Sequence, residues 1–343
     1  MIRNDIRSIT AYHVPDSSGL IKLDAMENPY PLPDSLRSEW SKLIARSNIN
    51  RYPDADMAGL RGRIAGLEGV QPEQVLIGNG SDEIIQMLLM AADQGACAIP
   101  KPTFVMYETI ARWLKRPVAA MPLKDDFSLD ATGFLNLCAR EKASLAFLAC
   151  PNNPTGNMWP REDVQKIADN FPGLLVIDEA YGPFAEESYR DMIAPNVLLL
   201  RTFSKLGMAG LRLGYALGDE GLIADLNKVR LPYNINSLTQ TSADFFLEHY
   251  AVFEEQARSI RGERGRMTAA LMAVEGIEVF PSQANFLLLR VTDADTVFDG
   301  LKTAGILIKN MHASGGLLQG CLRVTIGLPE ENDRFLSALK ELI

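Results

Sequence analysis

The sequence predicts an α/β protein: a large domain with a mostly parallel sheet between helices, followed by a smaller α+β domain. Three observations support this prediction. Continuous apolar runs alternate with helical periods over most of residues 55–230. Alternating strand patterns follow a long helical stretch in the last third of the chain. Polar residues come directly after several apolar runs, as at the edge of a parallel sheet.

The elements of the large domain follow from the period of the apolar residues. Helices are expected at 57–69, 81–92 and 104–114, where apolar residues recur every three or four positions. Strands are expected at the short apolar runs, which are 74–80, 96–100, 144–150, 174–180, 196–204 and 213–219. Because parallel strands are buried on both faces and need helical crossovers, this alternation predicts a parallel sheet covered on both sides.

The C-terminal third predicts a second unit. A helical stretch at about 237–274 precedes strand patterns at 277–291, 305–311 and 321–327. The first 45 residues are rich in loops and prolines and are expected to drape over both domains. We therefore predict three parts: an N-terminal arm with part of the small domain (1–45), a large domain (46–235), and a linking helix with the C-terminal small domain (236–343).

Composition excludes several classes of function. The chain has 343 residues, with 34 basic and 43 acidic side chains and a net charge of −9, and no basic cluster stands out. A nucleic-acid partner is therefore not expected. The N-terminal segment carries charges where a signal peptide needs an apolar core, and no run approaches a membrane span of ~18 apolar residues. These features predict a cytoplasmic protein without a membrane partner.

Metal and hydrolytic chemistry are not expected either. The four cysteines show no CxxC spacing, and three of them lie among small or apolar residues, as buried free thiols do. The three histidines are scattered, and neither HExxH nor GxSxG occurs. We expect no metal site.

Polar sets follow four of the predicted strands directly, at 78–82, 151–156, 178–181 and 202–205. Because the carboxyl ends of parallel strands meet at one edge of a sheet, these sets are expected to converge. This convergence is the strongest indication of a site that the residues provide.

Each candidate residue, in these sets or near them, could have a purely structural role when it is considered alone. Lys205 could pack its stem on the sheet and leave its amine in water, or desolvation could lower its pKa and make it a nucleophile. Asp178 could form an ordinary salt bridge, or it could pair with a protonated ring nitrogen. Ser81 could simply cap a helix, or help to build an anion site with that helix. Tyr107 could belong to the core or stack on a ring.

One ligand satisfies all of these groups together, and that ligand is pyridoxal 5′-phosphate. Its aldehyde suits a Schiff base with Lys205, its ring nitrogen suits Asp178, and its ring oxygen suits Asn153 and Tyr181. Its phosphate suits the turn and helix start at Gly80, Ser81 and Asp82, together with Thr202, Ser204 and Arg212.

An ordered set of motifs resembles the fold-type I aminotransferases, and within them the histidinol-phosphate aminotransferases. The motifs are RYPD (51–54), GNGSDE (78–83), PTFVMY (102–107), PNNPTG (151–156), DEAY (178–181), TFSKLGMAGLRLGY (202–215), ANFLL (284–288) and LRVTIG (322–327). The resemblance implies a seven-stranded sheet, the cofactor contacts given above, and catalytic roles for Lys205, Asp178 and Tyr181.

The resemblance also implies roles that the residues alone do not. Tyr52 would reach the cofactor phosphate of the neighbouring subunit, which implies a homodimer with shared active sites. Arg323 would bind the anionic end of the substrate, and Asn28 and Tyr12 would lie near it. Two departures fall close to the substrate: the run 24–29 and the segment 12–19 follow the family pattern only loosely.

The implied reaction moves the amino group of histidinol phosphate to 2-oxoglutarate in histidine biosynthesis, giving imidazole-acetol phosphate and glutamate. The alternatives within this fold are an aromatic amino-acid aminotransferase and a threonine-phosphate decarboxylase. The alternatives from other classes are a non-catalytic phosphate- or nucleotide-binding α/β protein, and a regulator built on this fold.

Overall fold

The computed structural model describes residues 1–11 and 14–343. Its helices are α1 Asn4–Arg7, α2 Asp34–Ile44, α3 Ala58–Glu68, α4 Ser81–Ala91, α5 Val105–Trp113, α6 Ala131–Arg140, α7 Arg161–Asn170, α8 Glu220–Asn227, α9 Ser237–Glu248, α10 Tyr250–Met272, α11 Ala294–Thr303 and α12 Pro329–Leu342. Its strands are β1 Ile21–Lys22, β2 Val75–Gly78, β3 Ala96–Lys101, β4 Val118–Pro122, β5 Ala143–Ala149, β6 Leu174–Asp178, β7 Val197–Thr202, β8 Gly214–Leu217, β9 Glu278–Val279, β10 Phe286–Arg290, β11 Ile306–Leu307, β12 Lys309–Asn310 and β13 Cys321–Thr325.

The large sheet has seven strands in the order β2-β8-β7-β6-β5-β3-β4. Strand β8 runs antiparallel to both of its neighbours, and the other adjacent strands pair in parallel. The predicted fold class, an α/β protein with a mostly parallel sheet, is confirmed. Because β8 reverses direction, β2 points the same way as β7, so the turn after β2 reaches the same edge as the turns after β5, β6 and β7.

Alternate residues of the central strands supply the two faces of the sheet. In β5, Leu145 and Phe147 pack with α4 and α5 on one face, whereas Ala146 and Leu148 pack with α6 and α7 on the other. All four side chains are fully buried. Two-sided burial explains why this strand is a continuous apolar run rather than an alternating one.

The C-terminal part forms a separate antiparallel sheet with the order β12-β13-β10-β9. The N-terminal arm joins this part of the molecule, since β1 pairs in parallel with β11 through Ile21–Ile306 and Lys22–Leu307. The helical stretch expected at 237–274 is divided at His249 into α9 and α10. The domain boundaries at 45/46 and 235/236 stay predictions.

Two negative findings concern the described residues alone. Across 1–11 and 14–343, no helix combines the length and the apolarity that crossing a bilayer requires. Within the same ranges, no cluster of three or more His, Cys, Asp or Glu side chains is arranged to hold a metal ion.

Candidate active site

The strand register brings the four polar sets to one cavity. Ala149, Asp178 and Leu200 lie side by side at the ends of β5, β6 and β7, and Thr202 pairs with Gly214 of β8. The predicted residues that line this cavity are Ser81, Asp82, Tyr107, Asn153, Asp178, Tyr181, Thr202, Ser204, Lys205 and Arg212. Eight of these side chains lie at or just after the ends of β2, β5, β6 and β7, Arg212 lies just before β8, and Tyr107 comes from α5, so all ten surround one space.

Lys205 lies in a short turn, Ser204–Met208, that is separated from β7 by Phe203 alone and is kinked at Gly207, where φ is +120°. The Lys205 Nζ donates a hydrogen bond to the carbonyl oxygen of Ala25 at 3.2 Å. Burial lowers the pKa of Lys205 to about 8, and the nearby guanidinium of Arg323 acts in the same direction. A lysine with this pKa has a usable neutral amine near physiological pH.

The turn between β2 and α4 forms an anion cradle. Gly80 has φ +81°, and a Cβ atom at this position would lie 2.8 Å from the Arg212 Nη2. A Cβ atom on Gly214 would lie 2.5 Å from the backbone nitrogen of Ser81, the first residue of α4. Glycines thus leave room for the guanidinium to approach the start of the helix, where free N–H groups favour an anion.

Hydroxyl groups complete the cradle on the side of β7. The Arg212 Nη1 lies 3.4 Å from the Ser204 Oγ, and the Thr202 Oγ1 lies 3.0 Å from the same oxygen. Arg212 also contacts Asp82, with 3.6 Å between Nη2 and Oδ2. Because the Arg212 and Asp82 side chains stay about half exposed, this weak pair leaves the guanidinium available to a phosphate.

Asp178 is buried at the end of β6 and is bound by two protein donors. The Tyr107 hydroxyl donates to its Oδ2 at 2.5 Å, and the Ala180 N–H donates to its Oδ1 at 2.9 Å. Burial raises the pKa of Asp178 to about 6. No salt bridge links Asp178 to any residue of the described chain, so the ordinary ion-pair alternative has no partner there. A protonated ring nitrogen would supply the missing cation.

Tyr107 is fully buried and stacks on Phe147, with 4.5 Å between ring centroids and an interplanar angle of 10°. Its ring also lines the cavity, so it belongs both to the core and to the site. This position beside Asp178 fits the predicted contact with a cofactor ring.

Asn153 connects the ring site to the predicted substrate arginine. Its Nδ2 donates to the Tyr181 hydroxyl at 3.0 Å, and its Oδ1 accepts from the Arg323 Nη1 at 2.5 Å. The Arg323 Nη2 donates to the carbonyl oxygen of Asp24 at 3.0 Å. Arg323 is 7% exposed, and its charge lowers the pKa of Lys205. The arginine predicted to bind the substrate therefore lies near the Lys205 amine.

Two predicted residues lie elsewhere. Tyr52 is 81% exposed and stacks on Tyr233, away from the cavity of its own chain. Asn28 bonds to the carbonyl oxygen of Leu206 and to Gln256. Tyr12 lies outside the described residues.

The structure also adds residues that sequence reasoning missed. Met26, Phe104 and Ala180 line the cavity beside the predicted polar groups. Met26 has φ +53°, an uncommon value for a residue with a side chain. Its N–H donates to the Thr325 Oγ1 at 3.0 Å, and its carbonyl oxygen accepts from the Asn285 Nδ2 at 3.0 Å. Only a family pattern around 24–29 could have indicated this position.

Arg201, near the end of β7, belongs to a buried ion network. Its Nη2 and Nε donate to the Glu179 Oε2 at 2.6 and 2.9 Å, and its Nη1 contacts Glu68. Glu68 also accepts from the Tyr215 hydroxyl. Because Glu179 and Arg201 immediately follow Asp178 and precede Thr202, this buried network ties the ends of β6 and β7 together.

Known proteins are similar to this chain in both fold and sequence. A solved histidinol-phosphate aminotransferase from Sinorhizobium meliloti, in complex with pyridoxal-5′-phosphate, superposes with a TM-score of 0.88 at 25% identity, covering 99% of this chain and 97% of that one. Histidinol-phosphate aminotransferase 2 of Cupriavidus pinatubonensis is 47% identical, over 98% of this chain and 95% of its own length. Histidinol-phosphate aminotransferase 1 of Burkholderia mallei is 48% identical, over 99% and 97%.

The fold and the lysine-centred cavity are those of the fold-type I transferases that depend on pyridoxal phosphate. Residues 18–339 match the family described as aminotransferase class I and II. The chain belongs to this family.

Proposed function

We propose that the protein is a pyridoxal-phosphate-dependent aminotransferase that moves the amino group of histidinol phosphate to 2-oxoglutarate. The observation that carries the proposal is the placement of a desolvated lysine amine, a buried carboxylate and an anion cradle around one cavity. The substrate rests on relatives of that name, which are 47–48% identical over nearly the whole chain.

The residues of the cavity fit the cofactor group by group. Ser81, Asp82 and Arg212 would hold its phosphate, Asp178 its ring nitrogen, and Asn153 with Tyr181 its ring oxygen. When bound, pyridoxal phosphate supplies an aldehyde for the amino group and a ring that draws off negative charge.

The chain's own residues then provide binding and proton transfer. The Lys205 amine, once neutral, can take a proton from the substrate carbon and would deliver it to the aldehyde carbon of the cofactor, because its Nζ is confined to the cavity by burial and by the Ala25 carbonyl. The Asp178 carboxylate, held by Tyr107 and the Ala180 N–H, would keep a proton on the ring nitrogen. Asn153 and Tyr181 would form hydrogen bonds with the ring oxygen.

Arg323 suits both substrates of the proposed reaction. Its guanidinium is planar and can bind a phosphate in one half-reaction and a carboxylate in the other. In the structure it spans Asn153 and the Asp24 carbonyl, so an incoming anion would exchange with these neutral acceptors. Since both substrates use one cavity, the kinetics are expected to be ping-pong.

We also propose a homodimer in which Tyr52 enters the partner's site. Tyr52 is 81% exposed and lies beside other exposed apolar side chains, among them Ile49 at 78%, Tyr233 at 43% and Leu238 at 41%. Such clustering is typical of a protein interface rather than of a free surface. The proposed compartment is the cytoplasm, in keeping with four buried free thiols.

A half-reaction screen tests the substrate. The absorption band of the bound cofactor is followed while histidinol phosphate, phenylalanine or threonine phosphate is added without an acceptor. The proposal expects histidinol phosphate to convert the band at the lowest concentration, without release of carbon dioxide. Preference for phenylalanine would indicate an aromatic aminotransferase, and carbon dioxide from threonine phosphate would indicate the decarboxylase. A protein that stays colourless with added cofactor would favour a non-catalytic binding protein.

A further inference from the structure

The segment Asp24–Asn28 lies beside Lys205, with Met26 lining the cavity. A backbone carbonyl group of this segment contacts the Lys205 amine. The carbonyl oxygen of Ala25 accepts from the Lys205 Nζ at 3.2 Å. Three residues further on, the Asn28 side chain turns away from the amine and toward the backbone of the turn that carries it. The segment therefore contacts the Lys205 amine through Ala25 and the carbonyl group of the next residue, Leu206, through Asn28.

The Asn28 side chain forms hydrogen bonds with three other residues of the chain. Its Nδ2 donates to the carbonyl oxygen of Leu206 at 3.0 Å and to the Gln256 Oε1 at 2.9 Å. Its Oδ1 accepts from the Tyr30 N–H at 2.8 Å. A primary amide has two N–H donors, and both are used here. An anionic group of a substrate could accept from the Asn28 amide only by displacing one of these two bonds.

The backbone held by Asn28 is irregular and tightly packed. Leu206 directly follows Lys205, and Gly207 adopts φ +120° at the kink of the turn Ser204–Met208. A Cβ atom on Gly207 would lie 3.0 Å from the Asn28 Nδ2 and 3.1 Å from the Phe253 Cδ1 of α10. The turn therefore passes through a narrow gap between Asn28 and α10. Its own backbone hydrogen bonds, from the N–H groups of Leu206 and Met208, both end on the Phe203 carbonyl oxygen, so the Leu206 carbonyl group is held by Asn28.

Gln256 extends this contact to the surface of α10. It is half-buried, and it is not among the residues that line the cavity. It holds the Asn28 amide by its Oε1, and its Nε2 lies 3.4 Å from the carbonyl oxygen of Pro31. A chain of hydrogen bonds thus runs from Gln256 through Asn28 to the main chain next to Lys205.

We propose that Asn28, oriented by Gln256, is a positioning residue for Lys205 rather than a ligand of the substrate. By fixing the carbonyl group of Leu206, it sets where the Lys205 side chain leaves the backbone and hence where its amine can reach. The inference rests on the proposed role of Lys205 and adds a residue outside the cavity that controls it. Small displacements of a reacting group are enough to slow a reaction substantially.

Two substitutions at Gln256 separate this role from a loss of side-chain volume. Gln256→Glu keeps an oxygen that accepts from the Asn28 Nδ2, whereas Gln256→Met keeps the length and removes the acceptor. Asn28→Ala removes the whole bridge. Each variant is stripped of cofactor, checked for folding by circular dichroism and thermal unfolding, and mixed with pyridoxal phosphate while the absorbance of the bound form is recorded.

The expected result is a loss of rate without a loss of substrate affinity. Asn28→Ala and Gln256→Met should slow covalent capture of pyridoxal phosphate and lower kcat by about 5- to 50-fold, with KM for histidinol phosphate within about twofold of wild type. Gln256→Glu should retain rates within about threefold of wild type, because the hydrogen bond to Asn28 persists.

Two results would overturn the proposal. One is a KM increased tenfold or more in Asn28→Ala with capture and kcat unchanged, a pattern that belongs to a substrate ligand, as about 1.4 kcal/mol of lost binding would give. The other is a Gln256→Met variant equal to wild type in every measurement, which also decides the matter if Asn28→Ala does not fold. Failure of the wild-type protein to bind pyridoxal phosphate would instead refute the proposed function itself.

Discussion

The Lys205 amine shows how a single side chain acquires its chemistry from its surroundings. Its sequence context of hydroxyl and apolar residues predicted a desolvated amine, and burial does lower its pKa to about 8. At pH 7 roughly one amine in ten is then neutral, against fewer than about one in a thousand for a lysine of ordinary pKa. The sequence could not predict the Ala25 carbonyl as its partner, because that contact joins positions 180 residues apart.

The lowered pKa predicts the pH dependence of cofactor capture. Since the neutral amine is the nucleophile, the rate at which cofactor-free protein binds pyridoxal phosphate should rise with pH and level off above about pH 8. Stopped-flow absorbance from pH 6 to 10 measures this rate. A rise that continues unchanged to pH 10 would mean that Lys205 has an ordinary pKa.

Asp178 should control catalysis more than binding. Asp178→Asn keeps the shape of the side chain but cannot balance a proton on the ring nitrogen, so kcat should fall by about 10²–10³. Tyr107→Phe removes only the hydroxyl that donates to Asp178 and serves as the matched control, with an expected loss of about tenfold or less. Steady-state kinetics of both variants check this ranking, and equal losses would argue against a charge requirement at Asp178.

At the scale of elements, the turn between β2 and α4 owes its function to its backbone. Gly80→Ala would force a Cβ atom to within 2.8 Å of the Arg212 Nη2 at a φ of +81°. Strain of this kind costs about 1–3 kcal/mol, so the Kd for pyridoxal phosphate should rise about 5- to 150-fold. Gly210→Ala is a suitable control, because nothing lies within 4 Å of a Cβ atom there and its φ is not in the left-handed region.

Fluorescence titration of the two glycine variants measures both dissociation constants. Unchanged affinity in Gly80→Ala would show that the phosphate does not bind at this turn. Weakened affinity in both variants would point to a general disturbance of the fold instead.

The elements that the sequence predicted best are those whose pattern of apolar and polar residues follows directly from burial. Strand β5 lies within one residue of its predicted segment, and α4 begins at the predicted residue, Ser81. The reversed direction of β8 is not visible in its composition, since an apolar four-residue strand reads the same either way. The two-residue strand β11 depends on β1, a pairing partner near the other end of the chain.

At the scale of the whole molecule, the proposed dimer predicts that two inactive variants restore activity when their subunits are mixed, which a monomeric enzyme could not do. If Tyr52 acts in the partner's site, a Lys205→Ala subunit and a Tyr52→Ala subunit complement one another, because one of their two shared sites has both residues. After random subunit exchange, about a quarter of all sites should be intact. Neither homodimer alone should approach that activity.

Activity of mixed subunits, with the dimer confirmed by light scattering, measures the complementation. Activity that stays at the mean of the two parent variants would place Tyr52 outside the shared site. The sequence could identify Tyr52 only through the family resemblance, because an exposed tyrosine away from the cavity of its own chain gives no sign of a role in catalysis.

The central claim is that Lys205 bonds covalently to pyridoxal phosphate at the carboxyl edge of the large sheet. The most direct measurement is borohydride reduction of the protein with its cofactor, followed by digestion and mass spectrometry of the peptides. The account predicts a pyridoxyl phosphate adduct on the peptide containing Lys205 and on no other lysine. An active protein with no adduct at Lys205, or with the adduct on a different lysine, would contradict it.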